Sequence, residues 1–144
     1  MALIDIAEII PGIRTQREQF IERGNVLVIS FRNLRENNKL ILTESRKIYL
    51  SEQIENKILK HGDIIMSCGG SIGTICNMYR FDLPVKAVAS QPLVVIRPRE
   101  NQNDIWDKLN NHYYHLKLIA KDVHSQKRLS LNDLRNFEFL DFLF

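Results

Sequence analysis

Between His61 and Met78, two apolar runs of strand length, Ile64 to Cys68 and Ile72 to Met78, stand on either side of Gly69-Gly70-Ser71. Runs of that length joined by residues that accept positive φ form an antiparallel hairpin, here entered through a His61-Gly62-Asp63 turn. A hairpin cannot bury its apolar face alone, so the rest of the chain must supply partners. Val26 to Phe31, a β-branched run after Gly24-Asn25, and Leu93 to Ile96, closed by Arg97-Pro98, read as two further strands. Lys47 to Leu50 reads as a short strand, Asn37-Asn38 as a turn, and Phe137 to Phe144 as a terminal strand.

Only one stretch carries a long helical period. Asn103 or Asp104 caps a helix to about Ile119, and Ile105, Leu109, Tyr113, Leu116 and Ile119 fall on one stripe. Ser51 starts a shorter helix to about Leu59, and Ser130 caps another ending near Asn136. Leu3 to Ile10 fits a short helix or a strand and ends at Pro11-Gly12, while Lys121 to Arg128 reads as a polar loop. With no internal repeat, residues 1–144 are expected to form a single compact α+β domain. It would hold a twisted, mostly antiparallel sheet or partly open barrel, one long helix and short helices. A hydrophobic content of 44% is enough for such a core without disulfides or metals.

Several function classes are disfavoured early. No apolar run approaches the roughly 20 residues of a membrane helix, and Met1 to Ile10 lacks the features of a secretory signal, so a cytoplasmic location is expected. Cys68 and Cys76 cannot by themselves supply the four ligands of a structural zinc site and read as reduced packing residues. The net charge of +3 is mild, but its distribution is uneven. Arg14 to Lys47 holds eight Lys or Arg against four Glu, and Leu83 to Arg99 holds three basic residues and no acid. One positive face and ordinary surface charge both fit that distribution.

The motifs that suggest catalysis are incomplete. Gly69, Gly70 and Gly73 invite a phosphate cradle, yet Thr74-Ile75 follows Gly73 where a P-loop needs Lys and then Ser or Thr. Gly70-Ser71-Ile72-Gly73 matches a G-x-x-G clamp, but that clamp joins helices and these flanks read as strands; a hairpin turn accounts for the glycines without any ligand. Glu55-Asn56-Lys57 resembles a nuclease triplet, but Asp5 is the nearest upstream Asp, so a solvated helix face explains it better. Pro11, Pro84, Pro92 and Pro98 are isolated, so the Pro-Pro-aromatic motif of an adenine methyltransferase is missing. His112 and His115 are spaced i, i+3 with no evident third ligand, the pattern of ordinary surface or core histidines. No catalytic residue, metal, cofactor or small-molecule substrate is expected.

The order of the segments resembles the target recognition domain of type I restriction-modification specificity subunits, and the likeness covers nearly the whole chain. Leu3 to Gly12 is similar to that family's entry segment, and Val28-Ile29-Ser30 with Asn33-Leu34 is similar to its first core strand and turn. His61-Gly62-Asp63-Ile64-Ile65-Met66-Ser67 followed by Gly70-Ser71-Ile72-Gly73 matches its most specific pattern. Ala89-Ser90-Gln91 stands before a strand ending at Pro98, and Gln126-Lys127-Arg128-Leu129-Ser130 with Asp133-Leu134 matches the closing motif. The chain departs from the pattern where Ser90 replaces Asn, where Gly69 takes a position often basic, and where Val123 lies near an expected Gly.

The resemblance implies a non-catalytic module that reads double-stranded DNA and directs methyltransferase and restriction subunits to a target half-site. Full specificity subunits join two such domains by long spacer helices. This chain carries no spacer, which leaves open an excised half, a fusion to a methyltransferase, or a small stand-alone relative. Contacts are expected on loops, with Lys and Arg on phosphates and Arg, Asn and Gln on base edges. Arg14, Gln16 and Arg17 are the first candidates, then Arg32, Asn33 and Arg35. A second group is Ser71, Lys86, Ser90, Gln91, Gln126, Lys127 and Arg128. The rival expectation is a protein-interaction module that docks on a DNA methyltransferase without reading DNA.

Overall fold

The computed structural model describes residues 1–15, 20–21, 23–42, 46–70, 74–123 and 125–139. Its centre is an antiparallel sheet in the order β1 (Ala7–Pro11), β10 (Leu93–Pro98), β6 (Ile64–Ser67) and β8 (Met78–Arg80). All four residues of β6 and the first four of β10 are buried, because both faces of these strands are covered. Strand periodicity sorts their side chains. Ile64, Met66, Val94 and Ile96 face one core, and Ile65, Leu93 and Val95 face the other. A bidentate ion pair from Arg97 to Asp63, 2.9 Å at each contact, ties β10 to the start of β6.

The first core is backed by helices. α1 (Leu3–Ile6), α3 (Gln102–Asn111), α4 (Tyr113–Ile119) and α5 (Leu131–Arg135) contribute Leu3, Ile105, Leu109, Leu116 and Leu134, all nearly inaccessible. The expected single long helix divides at His112. Its ring nitrogen Nδ1 lies 2.7 Å from the Lys108 carbonyl, and its backbone leaves the helical region at φ −103°, ψ 14°. The stripe nevertheless survives the break, with Tyr113 and Ile119 half-buried against the same core. The His112 ring packs edge-on against Phe137 and Phe139, the role of a core histidine. Ser130 caps α5 as expected, its Oγ accepting from the Asp133 N–H at 3.0 Å.

A second small sheet sits across the other core. In it β2 (Val26–Ile29) pairs antiparallel with β5 (Arg46–Ile48) and parallel with β9 (Ala87–Ala89), enclosing Val26, Val28, Ile48 and Val88. After β2 come a 3-10 turn at Phe31–Asn33 and the pair β3 (Leu34–Arg35) and β4 (Lys39–Leu40). Asn37 and Asn38 take φ of 61° and 62° in the turn between that pair, as the Asn-Asn dipeptide predicts.

Several expected elements differ. Leu3 to Ile10 is both helix and strand, α1 running into β1. The helix after Ser51 is only the single turn α2 (Glu52–Glu55), and Ser51 makes no capping hydrogen bond. Gly69-Gly70 is the short strand β7 rather than a tight loop, Thr74 to Cys76 form a turn before the strand at Met78, and residues 71–73 of the expected hairpin lie outside the described residues. The supposed loop from Lys121 to Arg128 is a hairpin of β11 (Lys121–Val123) and β12 (Gln126–Arg128), and β12 pairs with β7. Lys127 lies opposite Asp122 there and pairs with it at 2.7 Å. From Phe137 onward only an isolated bridge from Glu138 to Ala2 represents the expected terminal strand, and residues 140–144 lie outside the described residues. No closed barrel forms among the described residues, and no described helix is long and apolar enough to cross a membrane.

Candidate nucleic-acid interface

Parallel pairing sends β2 and β9 in the same direction, so the segments that follow them leave the sheet side by side. Ile29 is in register with Ala89, which brings Ser30-Phe31-Arg32-Asn33 next to Ser90-Gln91. β5 runs the other way and delivers Arg46, opposite Val28, to the same end. These segments enclose a groove of about 800 Å³ lined by Arg32, Asn33, Arg35, Arg46, Ser90 and Gln91, with Phe20 and Phe31 among its apolar walls. The Arg32 guanidinium lies 5.7 Å from the centre of the Phe31 ring and that of Arg46 lies 4.7 Å from the Phe20 ring, so aromatic faces support two of the three arginines among its described residues.

A second groove, of about 470 Å³, adjoins the first at Gln91 and holds Arg14 and Arg128. Its geometry depends on a close backbone approach at Gly12, where a Cβ would stand 2.5 Å from the Leu93 carbonyl oxygen and 2.8 Å from the Ser90 carbonyl carbon. That approach lets Ile13 donate to the Ala89 carbonyl at 2.8 Å and accept from the Gln91 N–H at 2.9 Å. Arg14 therefore projects beside Gln91, and its Nε donates to Gln91 Oε1 at 3.1 Å.

A third groove carries Gln126, Lys127 and Arg128 past Gly69 and Gly70. A Cβ on Gly69 would press on Pro92 at 3.0 Å, and Gly70 adopts φ +126° with its Cβ direction filled by Thr74 Oγ1. The glycines thus let β12 and Pro92 come close, which explains them without an anion. The three grooves share Gln91, Phe31, Thr74, Pro92 and Arg128, so they form one connected surface. Its described lining holds Arg14, Arg32, Arg35, Arg46, Lys127 and Arg128 and no carboxylate.

Of the residues predicted from sequence, Arg14, Arg32, Asn33, Arg35, Ser90, Gln91, Gln126, Lys127 and Arg128 lie together here. Lys86 does not. It precedes β9, with its carbonyl accepting from the Leu27 N–H, at the end of the strand away from Ser90. Gln16, Arg17 and Ser71 lie outside the described residues.

Proximity does not give every side chain the same freedom. Asn33 is buried; its Oδ1 accepts from the Ser30 N–H at 2.8 Å and its Nδ2 donates to the Ile41 carbonyl at 2.8 Å. It fastens the turn that carries Arg32. Ser90 is also buried, its hydroxyl donating to the Ile29 carbonyl at 3.3 Å. Arg35 donates to the carbonyls of Arg32 and Leu34, and Lys127 is held by Asp122. Arg14, Arg32, Gln91, Gln126 and Arg128 are exposed. Arg46 was missed from sequence, although it belongs to the basic stretch and sits two residues before buried Ile48, on the same face of a strand.

The sequence matches the family model of the type I restriction modification DNA specificity domain over residues 1–140. A search of curated proteins finds no match. Among solved structures, the chain is similar to the S subunit of a type I restriction-modification system from M. genitalium. The two are 12% identical with a TM-score of 0.66, covering 96% of this chain and 33% of that one. It is similar also to the HsdS subunit from Thermoanaerobacter tengcongensis, at 15% identity and a TM-score of 0.65 over 95% of this chain and 31% of that one. A third chain, from a structural account of complex assembly and conformational transition of the type I R-M system, is 16% identical with a TM-score of 0.67, covering 95% and 32%. The chain thus spans about a third of the length of these structures. At such identities the likeness establishes the fold, and the match along residues 1–140 establishes the lineage: this chain belongs to the type I restriction-modification DNA specificity domain family.

Proposed function

We propose that this domain reads a short duplex sequence and so directs the methyltransferase and restriction subunits of a type I system to one half of a bipartite target. The observation that carries this reading is the connected surface, without a carboxylate among its described residues, on which separate segments place exposed Arg14, Arg32, Gln91, Gln126 and Arg128. Cations there position the phosphate backbone, and the guanidinium and amide groups are of the kind that hydrogen-bonds base edges. Asn33 and Ser90 hold the frame. The domain binds rather than reacts, uses no cofactor, and works in the cytoplasm where its DNA lies. By family resemblance, Gln16, Arg17 and Ser71 belong to the same contact set, while Lys86 is left to a distant phosphate or to solvent.

The test is selection from a randomised duplex library, followed by affinity measurements across a salt series. Binding should weaken steeply as salt rises, and Arg32→Ala should lower affinity and reduce the slope of log affinity against log salt by about 1 if Arg32 meets a phosphate. Glu55→Ala, on the exposed turn α2, serves as the control. Equal affinity for the wild type and the Arg32, Arg14 and Arg128 variants would remove the assignment.

The docking reading is supported by a different observation. Tyr114 and Leu118 lie one turn apart on α4 and are 77% and 83% exposed. An apolar pair in that position suits contact with another subunit. If the Tyr114→Ala, Leu118→Ser double variant loses binding to the methyltransferase subunit but keeps its DNA affinity, the domain has both functions.

A further inference from the structure

The geometry points to Arg14 and Gln91 acting as one donor-only reading unit that selects guanine at a single position of the target. This inference rests on the DNA-reading assignment above and specifies its chemistry. A free glutamine recognises adenine by donating from Nε2 to N7 and accepting at Oε1 from the N6 amino group. Here Oε1 of Gln91 is turned toward Arg14, whose Nε donates to it at 3.1 Å. The glutamine therefore presents its NH2 group outward and its carbonyl inward. Arg14 spends one of its N–H groups on that contact and keeps the four on its terminal nitrogens. Among the described residues neither side chain makes another hydrogen bond, and both are exposed.

The pair thus offers a row of N–H donors with its acceptor turned away. Among the bases in the major groove, guanine alone offers two acceptors, N7 and O6, on one edge. Adenine places an amino donor beside N7, which would meet donors, and cytosine presents only a donor. Thymine offers the single acceptor O4 beside a methyl group. Two features add to the selection. Arg128 lines the same groove, which has no carboxylate among its described residues to receive a base amino group. The backbone beneath is fixed as well, since Ile13 bonds both Ala89 and Gln91 and Gly12 admits no side chain. Little ordering is left to be done on binding.

The experiment is selection from randomised duplexes with the wild type, Arg14→Ala, Gln91→Ala and Gln91→Glu, each first checked for an unchanged melting temperature. The wild type should return a motif with one guanine that both alanine variants lose while the rest of the motif persists. At that position discrimination should fall roughly 5- to 150-fold. Gln91→Glu replaces the outward donors by acceptors and should shift the preference toward cytosine, whose N4 amino group donates. In the wild-type motif, 7-deazaguanine, which lacks N7, should cost a similar factor. A motif in which the changed position is adenine, or one that the three substitutions leave intact, overturns the inference while leaving the DNA-reading assignment in place. Failure of the wild type to enrich any sequence, together with salt-insensitive binding, overturns both.

Discussion

On the helix side of the central sheet, Leu3, Ile64, Met66, Ile96, Leu109 and Leu116 interlock as large aliphatic side chains with almost no exposed surface. Beside the first groove, by contrast, the core of the β5-β2-β9 sheet consists of Val26, Val28, Ile48 and Val88, edged by partly buried Ile13, Phe20 and Leu50. At about 1.5–3 kcal/mol for each fully buried large aliphatic side chain, the first region supplies most of the hydrophobic stabilisation. The second contributes position. On the proposed function, stability and recognition fall to different layers, and substitutions should separate them.

The largest expected effect is at the edge of the central sheet, where Asp63 and Arg97 share the face of Ile65 and Val95. Asp63→Ala removes both short contacts of the Arg97 guanidinium, which is one-fifth exposed and keeps only the charge of Glu8 on the neighbouring strand, and should cost up to about 3–5 kcal/mol of unfolding free energy. Denaturant titration measures it, and a loss below about 1 kcal/mol would mean that the ion pair is ornamental. Next comes Val28→Ala in the small core, expected to cost about 0.5–3 kcal/mol. It should weaken DNA binding more than its stability loss predicts, since Val28 lies beside Arg46 and one residue before Ile29. If binding is untouched, the thin layer does not aim the groove.

A pH series sharpens the contrast further. Burial pushes the Cys76 thiol from its ordinary value of 9.0 up to about 12, and Cys68 shifts in the same direction through burial and the neighbouring Cys76. In the unfolded chain both thiols ionise near 9.0, so their contribution is complete below that pH and is lost as pH rises toward about 12. Thermal melts should fall over that window in the wild type and fall less in a Cys68→Ala, Cys76→Ala variant. The smallest effect belongs to Lys86→Ala. Placed at the far end of β9, it should change duplex affinity by less than Arg32→Ala does, as measured side by side in one salt series.

What the sequence disclosed follows from the same division. Strands β6 and β10, the stripe of α3 and α4, and the Ser130 cap are legible because each depends on a local period or a short-range hydrogen bond. The β11-β12 hairpin escaped because Lys-Asp-Val and Gln-Lys-Arg lack apolar alternation, and its stability comes from pairing with the distant strand β7, Arg128 against Gly69. β9, only Ala-Val-Ala, is too short to stand out, and its parallel pairing with β2 is a long-range fact. Residue type alone nominated side chains that, Lys86 excepted among the described ones, the fold brings to one connected surface. It could not tell that Asn33 would be spent on Ser30 and Ile41, or that Arg46 would arrive from a third strand.

The side-by-side exit of β2 and β9 has a consequence for how such a domain changes its target. Two peptides that spring from hydrogen-bonded neighbours share a single foundation, so altering one tilts the other. Substitutions at Arg32 and at Gln91 should then fail to combine independently, and new specificities in this lineage would be reached by exchanging the two segments as a matched set.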